Sequence, residues 1–172
     1  RLTGDAYFDM LDRFSDSVER RWPKAVIQWE DFAKDVAFKV IERYKEQVPF
    51  FNDDIQGTGA VVLAGLLSAC KKIGQKLSDQ RIVVVGAGAG GVGVASAIQE
   101  GLVREGLTRE QARRRMFVMD AAGLVLEELI DPDSYQVPVS QLSDTCRDWT
   151  IAATARRSWR CWIRQSRQFC SA

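Results

Sequence analysis

The sequence predicts an α/β protein that contains at least one pair of parallel strands. A continuous β-branched run at residues 81–85 leads directly into a glycine-rich turn and then into a helical pattern. A second short apolar run, residues 116–119, follows that helix and ends at an acid. Further alternating strand and helix patterns lie N-terminal to residue 81. Together these observations predict a partial Rossmann-type βαβ unit, preceded by part of another α/β region.

The first half of the chain has the pattern helix, strand, helix, strand, helix. Apolar residues recur at helical spacing over residues 7–18, residues 25–29 form a short apolar run, and helical spacing resumes over residues 34–46. Residues 50–51 are a second short apolar run, which leads straight into carboxylates. The helix predicted from about residue 57 to 73 is apolar nearly all round, so we expect it to be buried.

The second half supplies the βαβ unit with clear boundaries. Gly74 suits the C-cap of the preceding helix. Residues 81–85 are typical of a parallel strand buried on both faces. Residues 94–102 trace the inner face of the next helix, and Thr108 with Gln111 forms a capping-box pattern that begins a second helical piece.

The composition excludes several kinds of chemistry. Of the 172 residues, 46% are hydrophobic and 27% are charged, as in a folded globular protein rather than a disordered one. A net charge of +1 gives no general affinity for nucleic acid or for an anionic membrane. Because the chain has no histidine, it has no Ser-His or Cys-His dyad and no imidazole metal ligand. Carboxylates, lysines or tyrosines must carry any acid–base or metal chemistry.

The glycine-rich turn predicts a nucleotide cofactor. It is a GxGxxG sequence between a strand and a helix, in which Gly86 permits the tight turn and Gly88 lets the backbone approach a pyrophosphate. Gly91 allows the helix to pack closely on the strand, and the helix N-terminus offers N–H donors. A purely structural glycine turn is the alternative. The predicted cofactor-binding residues of this turn are Gly86, Ala87, Gly88 and Gly91.

Asp120 follows the next strand and is predicted to accept hydrogen bonds from the adenosine ribose hydroxyls. An acid at this place favours NAD over NADP because a carboxylate repels a 2′-phosphate. A solvated acid at a strand end is the alternative. The run Arg113, Arg114 and Arg115 either faces a cofactor phosphate or forms a solvated surface, the more usual role of a charge run.

Four carboxylates follow two apolar runs and predict a metal site. Glu30 and Asp31 follow the first run, and Asp53 and Asp54 follow the second. If two neighbouring strands end side by side, these acids converge on one edge and offer the oxygen ligands that Mg²⁺ and Mn²⁺ prefer. Helix N-caps explain any one of these acids equally well.

Residues 146–172 differ in composition from the rest. They hold six arginines, no lysine, three of the five tryptophans and three of the four cysteines. One interpretation is an arginine-aromatic arm that binds nucleic acid; the interpretation we favour is a non-native or frameshifted tail without a nucleic-acid partner. With no CxxC pair, neither zinc nor a disulfide framework is expected, and Cys70 is predicted to be a small buried apolar residue.

No membrane segment is expected from the sequence. The uncharged stretch 55–70 falls short of the ~20 residues that span a bilayer, and the stretch 82–99 contains five glycines. The chain begins with Arg1 and shows no leader pattern, so we expect the natural N-terminus to lie upstream.

Three of these segments resemble the malic enzyme family. They are WEDF at residues 29–32, FNDDIQGTGAV at 51–61 and RIVVVGAGAGG at 81–91, and the resemblance runs over roughly residues 5–140. It implies an enzyme that oxidatively decarboxylates L-malate to pyruvate and CO₂, with Mg²⁺ or Mn²⁺ and with NAD or NADP. The residues that match the family's positions are Glu30, Asp31 and Asp54 as metal ligands, Asp53 as the neighbouring active-site acid, and Gly86, Gly88, Gly91 and Asp120 as cofactor contacts.

The resemblance also implies a domain organisation. Residues 1–55 would be the C-terminal part of the malate- and metal-binding domain, 56–145 the N-terminal part of the NAD(P)-binding domain, and 146–172 an atypical tail. The family's lysine base and tyrosine acid have no matching motif here, so we expect this fragment alone to be inactive. A non-catalytic dinucleotide-binding module and a malolactic enzyme that gives lactate remain alternatives. The family implies a dimer or tetramer, expected in the cytoplasm, with mitochondrial matrix and plastid left open.

Overall fold

The computed structural model describes residues 2–143 and has the predicted mixed α/β architecture. The predicted tail, 146–172, and the three cysteines in it lie outside the described residues. The chain divides into two compact units, of which the first ends at Asp53 and the second begins at Asp54. Each unit has its own small sheet, so each is described by itself.

The first unit alternates helices and strands around one aromatic core. Its elements are α1 (Asp5–Arg21), β1 (Ile27–Trp29), α2 (Lys34–Tyr44) and β2 (Phe50–Asn52). The two strands pair in parallel, with Trp29 opposite Asn52. The helical spacing predicted in both helices places one face of each on the core, where Trp29 packs against Tyr44 with ring centroids 5.6 Å apart. The buried residues of this core are Leu11, Ile27, Trp29, Val40 and Tyr44.

A charged cluster holds α1 against α2. The Arg43 side chain donates to both carboxylate oxygens of Asp12, with an Nε–Oδ1 distance of 2.8 Å. The hydroxyl of Tyr44, which is fully buried, donates to the same Oδ1 at 2.6 Å. These donors lower the pKa of Asp12 to about 2, because the hydrogen bonds from Arg43 and then from Tyr44 favour the ionised carboxylate.

The second unit contains the predicted βαβ unit. A π-helical turn over Asp53–Gly57 leads into its first long helix. The elements of this unit are α3 (Thr58–Ile73), β3 (Ile82–Val85), α4 (Ala89–Arg104), α5 (Arg109–Arg114), β4 (Met116–Asp120) and β5 (Gly123–Leu124). Strands β3 and β4 are parallel neighbours joined through α4 and α5, and β5 returns antiparallel to β4. This is the predicted strand–turn–helix–strand order.

Two burial predictions are wrong for the described residues. Strand β3 is only partly buried, and Val85 is 76% exposed, because β3 lies at the edge of the three-stranded sheet. The central strand β4 has four of its five residues buried. Helix α3 is mainly exposed, with Val61 at 73%, although its composition predicted burial. Within residues 2–143, its main helical neighbour is α4, which covers one face and leaves the other open.

Small residues let α3 and α4 approach closely. A β-carbon placed on Gly59 would lie 2.8 Å from the carbonyl oxygen of Gly93, and one on Gly93 would lie 2.4 Å from the carbonyl oxygen of Ile55. A β-carbon on Gly101 would instead meet the end of the Leu63 side chain, at 2.8 Å, which can shift more easily than backbone. Gly59 and Gly93 are therefore required by close backbone packing, not by an unusual backbone angle.

Local boundary predictions are confirmed. Gly74 ends α3 in the left-handed conformation, with φ of 70°. Thr108 and Gln111 form the predicted capping box at the start of α5. Cys70 is buried as a free thiol, as expected for a small apolar residue. Among residues 2–143, no helix is both long enough and apolar enough to cross a membrane.

Candidate cofactor site and strand-end carboxylates

The glycine-rich turn connects the end of β3 to the start of α4. Gly86 has φ of 118°, a conformation that L side chains rarely adopt, and its N–H donates to the Met119 carbonyl at 2.8 Å. Gly88 is the N-cap of α4, and a β-carbon there would have no atom within 4 Å. A β-carbon on Gly91 would lie 1.7 Å from the Gly86 oxygen. The first and last glycines therefore shape the turn, whereas the middle one borders open space.

Asp120 lies at the same sheet edge as this turn. Val85 pairs with Met119, so Gly86 and Asp120 are the next residues on two adjacent parallel strands. The Asp120 side chain is exposed, and its Oδ1 accepts the N–H of Ala121 at 2.7 Å. The structure thus brings the predicted phosphate turn and the predicted ribose acid together at the carboxyl ends of parallel strands, where such folds bind ligands.

Two further side chains reach this edge from a distant part of the chain. The Gln136 side-chain amide donates to the Ala87 carbonyl at 2.8 Å and to Oδ2 of Asp120 at 3.1 Å. The hydroxyl of Tyr135 also donates to the Ala87 carbonyl, at 3.2 Å. Neither residue is predictable from the sequence, because no local pattern marks a contact across 48 or 49 positions. Gln136 connects the turn directly to the strand-end acid.

The arginine run does not face the cofactor edge as a group. Arg113 donates through Nε to the Ser140 carbonyl at 2.5 Å and also pairs with Glu127. Arg114 pairs with Glu110 on the same helix, at 2.9 Å. Arg113 therefore fixes the segment that follows β5, and Arg114 belongs to a solvated helix surface.

The first unit places two of the predicted acids at the same edge of its sheet, after the ends of β1 and β2. Because Trp29 pairs with Asn52, Glu30 and Asp53 directly follow neighbouring strand ends. Asp31 has φ of 55°, which is uncommon for a residue with a side chain and better tolerated by Asp than by most. Asp54 is the first residue of the second unit.

The side chains of Glu30, Asp31 and Asp54 are exposed, and Asp53 is half-buried. Over the described range 2–143, no three acidic, cysteine or histidine side chains form a group that could hold a metal ion. The parallel register that the metal prediction required is present in the first unit. The ligand roles of these acids stay predictions.

A parallel βαβ unit with GxGxxG at its crossover and an acid at the end of its second strand defines a dinucleotide-binding α/β protein. Comparison with known families gives the more particular assignment. The family model "Malic enzyme, NAD binding domain" matches residues 55–158, and "Malic enzyme, N-terminal domain" matches residues 1–45. The chain belongs to the malic enzyme family. The matched region extends to residue 158, beyond the limit near residue 140 that the motifs indicated.

Individual relatives agree with this assignment. The NAD-dependent malic enzymes of Psychromonas ingrahamii and Psychrobacter arcticus are 42% and 43% identical to the chain over 153 and 149 residues. Those alignments cover 89% and 87% of this chain but 27% of each relative. The crystal structure of Entamoeba histolytica malic enzyme matches with a TM-score of 0.62 at 24% identity, covering 87% of this chain and 29% of that one, which supports the fold. The chain thus spans about a quarter of the length of these relatives.

Proposed function

We propose that this chain is the central part of a malic enzyme that converts L-malate to pyruvate and CO₂ while NAD is reduced. The observation that carries the proposal is the joint presence of two strand-end sites. One is the GxGxxG turn with Asp120, and the other is the pair Glu30 and Asp53 at the ends of β1 and β2. The family match over both parts of the chain supports their assignment to one enzyme.

The second unit would bind the dinucleotide. The first N–H groups of a helix have no partner within the helix and favour a pyrophosphate, and the open space at the Gly88 β-carbon position would admit its approach to the start of α4. Asp120 would accept hydrogen bonds from the ribose hydroxyls. The relatives are named NAD-dependent, and the Asp120 carboxylate disfavours a 2′-phosphate, so we propose NAD rather than NADP. The bound nicotinamide supplies the hydride acceptor.

By family resemblance, three of the carboxylates would hold a divalent cation in the complete enzyme. Glu30, Asp31 and Asp54 offer only carboxylate oxygens, the donor chemistry that suits Mg²⁺ or Mn²⁺, and the chain has no histidine to favour another metal. The cation supplies a Lewis acid where negative charge develops on the substrate. Asp53 is half-buried and precedes Asp54 directly in the sequence. It would be the active-site acid next to the metal ligands.

The same carboxylates decide between this proposal and its alternatives. A non-catalytic dinucleotide-binding module needs no acids at a second strand edge, whereas metal-assisted decarboxylation does. A malolactic enzyme would use the same groups but release lactate without net cofactor reduction, so product analysis separates it. By family resemblance, we propose a cytoplasmic homo-oligomer, dimer or tetramer, that acts without nucleic acid or membrane. The 172-residue chain alone should be inactive, since the family's lysine and tyrosine motifs have no match in it.

The test uses the complete enzyme that contains this segment. Asp54→Asn should lower malate-dependent NAD reduction by about 10²-fold or more, because a neutral amide is a weaker ligand than a carboxylate. Mn²⁺ binding, followed by water-proton relaxation, should weaken in parallel, while NAD binding, followed by fluorescence, should stay within about twofold. Asp9→Asn, an exposed acid on α1, is the matched control and should change neither titration.

Two results would contradict the proposal. If Asp54→Asn bound Mn²⁺ like the parent and retained decarboxylation, the acids would be helix caps and surface charges. If the parent gave lactate and no NADH from malate, the malolactic alternative would replace the oxidative reaction.

A further inference from the structure

The Ala87 carbonyl is fixed from outside the glycine-rich turn. Ala87 is 1% exposed, and its carbonyl oxygen accepts both the Tyr135 hydroxyl at 3.2 Å and the Gln136 side-chain amide at 2.8 Å. Both donors come from the segment that follows β5, nearly 50 positions along the chain. A carbonyl with two side-chain donors is held in one direction, because rotation of its peptide would break both hydrogen bonds.

The segment that carries these donors is itself rigidly connected. Residues 131–137 form consecutive turns, in which the Ser134 N–H donates to the Asp131 carbonyl at 2.9 Å and the Val137 N–H donates to the Ser134 carbonyl at 3.1 Å. The segment then enters the core at Val139 and Ser140, both buried. Tyr135 and Gln136 therefore occupy defined positions relative to the turn.

Fixing the Ala87 carbonyl also fixes the next N–H. The peptide that joins Ala87 to Gly88 is planar and trans, so its C=O and N–H point in opposite directions. With the oxygen turned toward Tyr135 and Gln136, the Gly88 N–H is directed to the other side of the peptide. Gly88 is the N-cap of α4, where N–H groups serve anions, and its α-carbon borders open space.

We propose that Tyr135 and Gln136 are positioning residues for the cofactor pyrophosphate, acting by holding the Ala87–Gly88 peptide in the orientation that presents the Gly88 N–H. This inference rests on the proposed cofactor site. Neither side chain needs to touch the phosphates. Gln136 also contacts Asp120, so it links the phosphate side of the site to the ribose side.

The test compares ligands with and without phosphates on the complete enzyme that contains this segment. Tyr135→Phe keeps the half-buried ring and removes one donor to Ala87, so ADP and NAD affinity should fall about three- to tenfold. Adenosine, which lacks the pyrophosphate, should bind as it does to the parent. Tyr7→Phe, in the first unit, is the matched control and should change no affinity.

A second variant removes both contacts of Gln136 at once. Gln136→Met removes the donor to Ala87 and the donor to Asp120 together, so adenosine affinity should fall and ADP affinity should fall further. The ratio of ADP to adenosine affinity is the decisive quantity, because general loosening of the fold would weaken both ligands alike. Titration calorimetry for ADP and ligand-observed NMR for adenosine measure it.

The outcomes distinguish this inference from the proposal beneath it. If the parent enzyme binds neither ADP nor NAD, the proposed cofactor site is wrong and the positioning role is wrong with it. If the parent binds both but Tyr135→Phe and Gln136→Met keep the parental ADP-to-adenosine ratio, the positioning role alone is wrong.

Discussion

Gly91 and Gly86 lie so close that a β-carbon on Gly91 would be 1.7 Å from the carbonyl oxygen of Gly86. Backbone atoms can relieve such a contact only by shifting, so the first turn of α4 packs in this way on the end of β3 only if residue 91 has no side chain. Gly88, between them, has no atom within 4 Å of its β-carbon direction. Two glycines of one motif therefore have different roles. Gly91 is required by close packing against Gly86, whereas Gly88 leaves open space beside the turn.

This contrast predicts that Gly91→Ala and Gly88→Val affect different properties. Gly91→Ala should lower the free energy of unfolding by about 3 kcal/mol or more, because backbone must move. Gly88→Val should change stability by about 0.5 kcal/mol or less but weaken NAD binding about tenfold or more, since its side chain fills the approach to the turn. Urea unfolding and NAD titration of both variants test this. Equal effects of the two substitutions on stability would contradict it.

The contact of α4 with the π-helical turn before α3 gives a second pair of glycine substitutions. A β-carbon on Gly93 would lie 2.4 Å from the Ile55 carbonyl oxygen, whereas one on Gly65, exposed within α3, meets nothing within 4 Å. Gly93→Ala should destabilise the chain by about 2–3 kcal/mol. Gly65→Ala should stabilise it by about 0.5–1 kcal/mol, through helix propensity alone. Thermal unfolding measures both, and a Gly93→Ala variant as stable as the parent would exclude this close contact.

Arg113 and Arg114 provide a matched test of a structural arginine. Arg113 is 25% exposed in its side chain and bonds the buried Ser140, whereas Arg114 is 50% exposed and pairs only across a helix turn with Glu110. Arg113→Met should cost about 1–3 kcal/mol, because the Ser140 carbonyl loses its donor. Arg114→Met should cost about 0.5 kcal/mol or less. Denaturant unfolding measures the free energy of unfolding of both variants. Similar losses of stability in the two variants would show that Arg113 has no more structural role than a solvated surface arginine.

Arg113→Met should also increase amide hydrogen exchange over residues 134–140, because Arg113 bonds both the carbonyl and the hydroxyl of Ser140 in that segment. Unchanged exchange there would show that the segment is held without Arg113. The Arg114→Met variant serves as the control for this measurement as well.

Local patterns predicted the fold well because local interactions produce them. Gly74 at φ of 70° and the Thr108 capping box each depend on residues within one helix turn, so the sequence alone was sufficient. Burial was harder to predict. Val61 and Val85 have strongly apolar surroundings in sequence, yet they are 73% and 76% exposed, because burial depends on which elements cover a surface.

The candidate site shows the same difference between local features, which the sequence predicts, and long-range contacts, which it does not. The glycines of the turn follow from their local conformational and packing requirements. The two apolar runs that end in acids predicted two short strands, whereas the parallel pairing of β1 with β2 was only a condition of the metal prediction and comes from the structure. Tyr135 and Gln136 could not be predicted, since a contact with Ala87 across 48 positions requires the path of the whole intervening chain. A polar pair in a turn-rich segment has no periodicity by which to identify it.

The Asp12 cluster predicts how stability changes with pH. Asp12 has a pKa of about 2 in the folded chain, against its usual value of 3.8, because Arg43 and Tyr44 donate to its carboxylate. This stabilisation is fully present above about pH 4 and is lost as the pH falls toward 2, where the unfolded state takes up the proton first. Since the Asp12 side chain is 32% exposed, its contribution after solvent screening is about 1 kcal/mol. Asp12→Asn should therefore lower the melting temperature at pH 7 but match the parent near pH 2, and Asp16→Asn, exposed on the same helix, should match it at both. A difference between Asp12→Asn and the parent that is equally large at both pH values would show that packing, not the ionised carboxylate, joins α1 to α2.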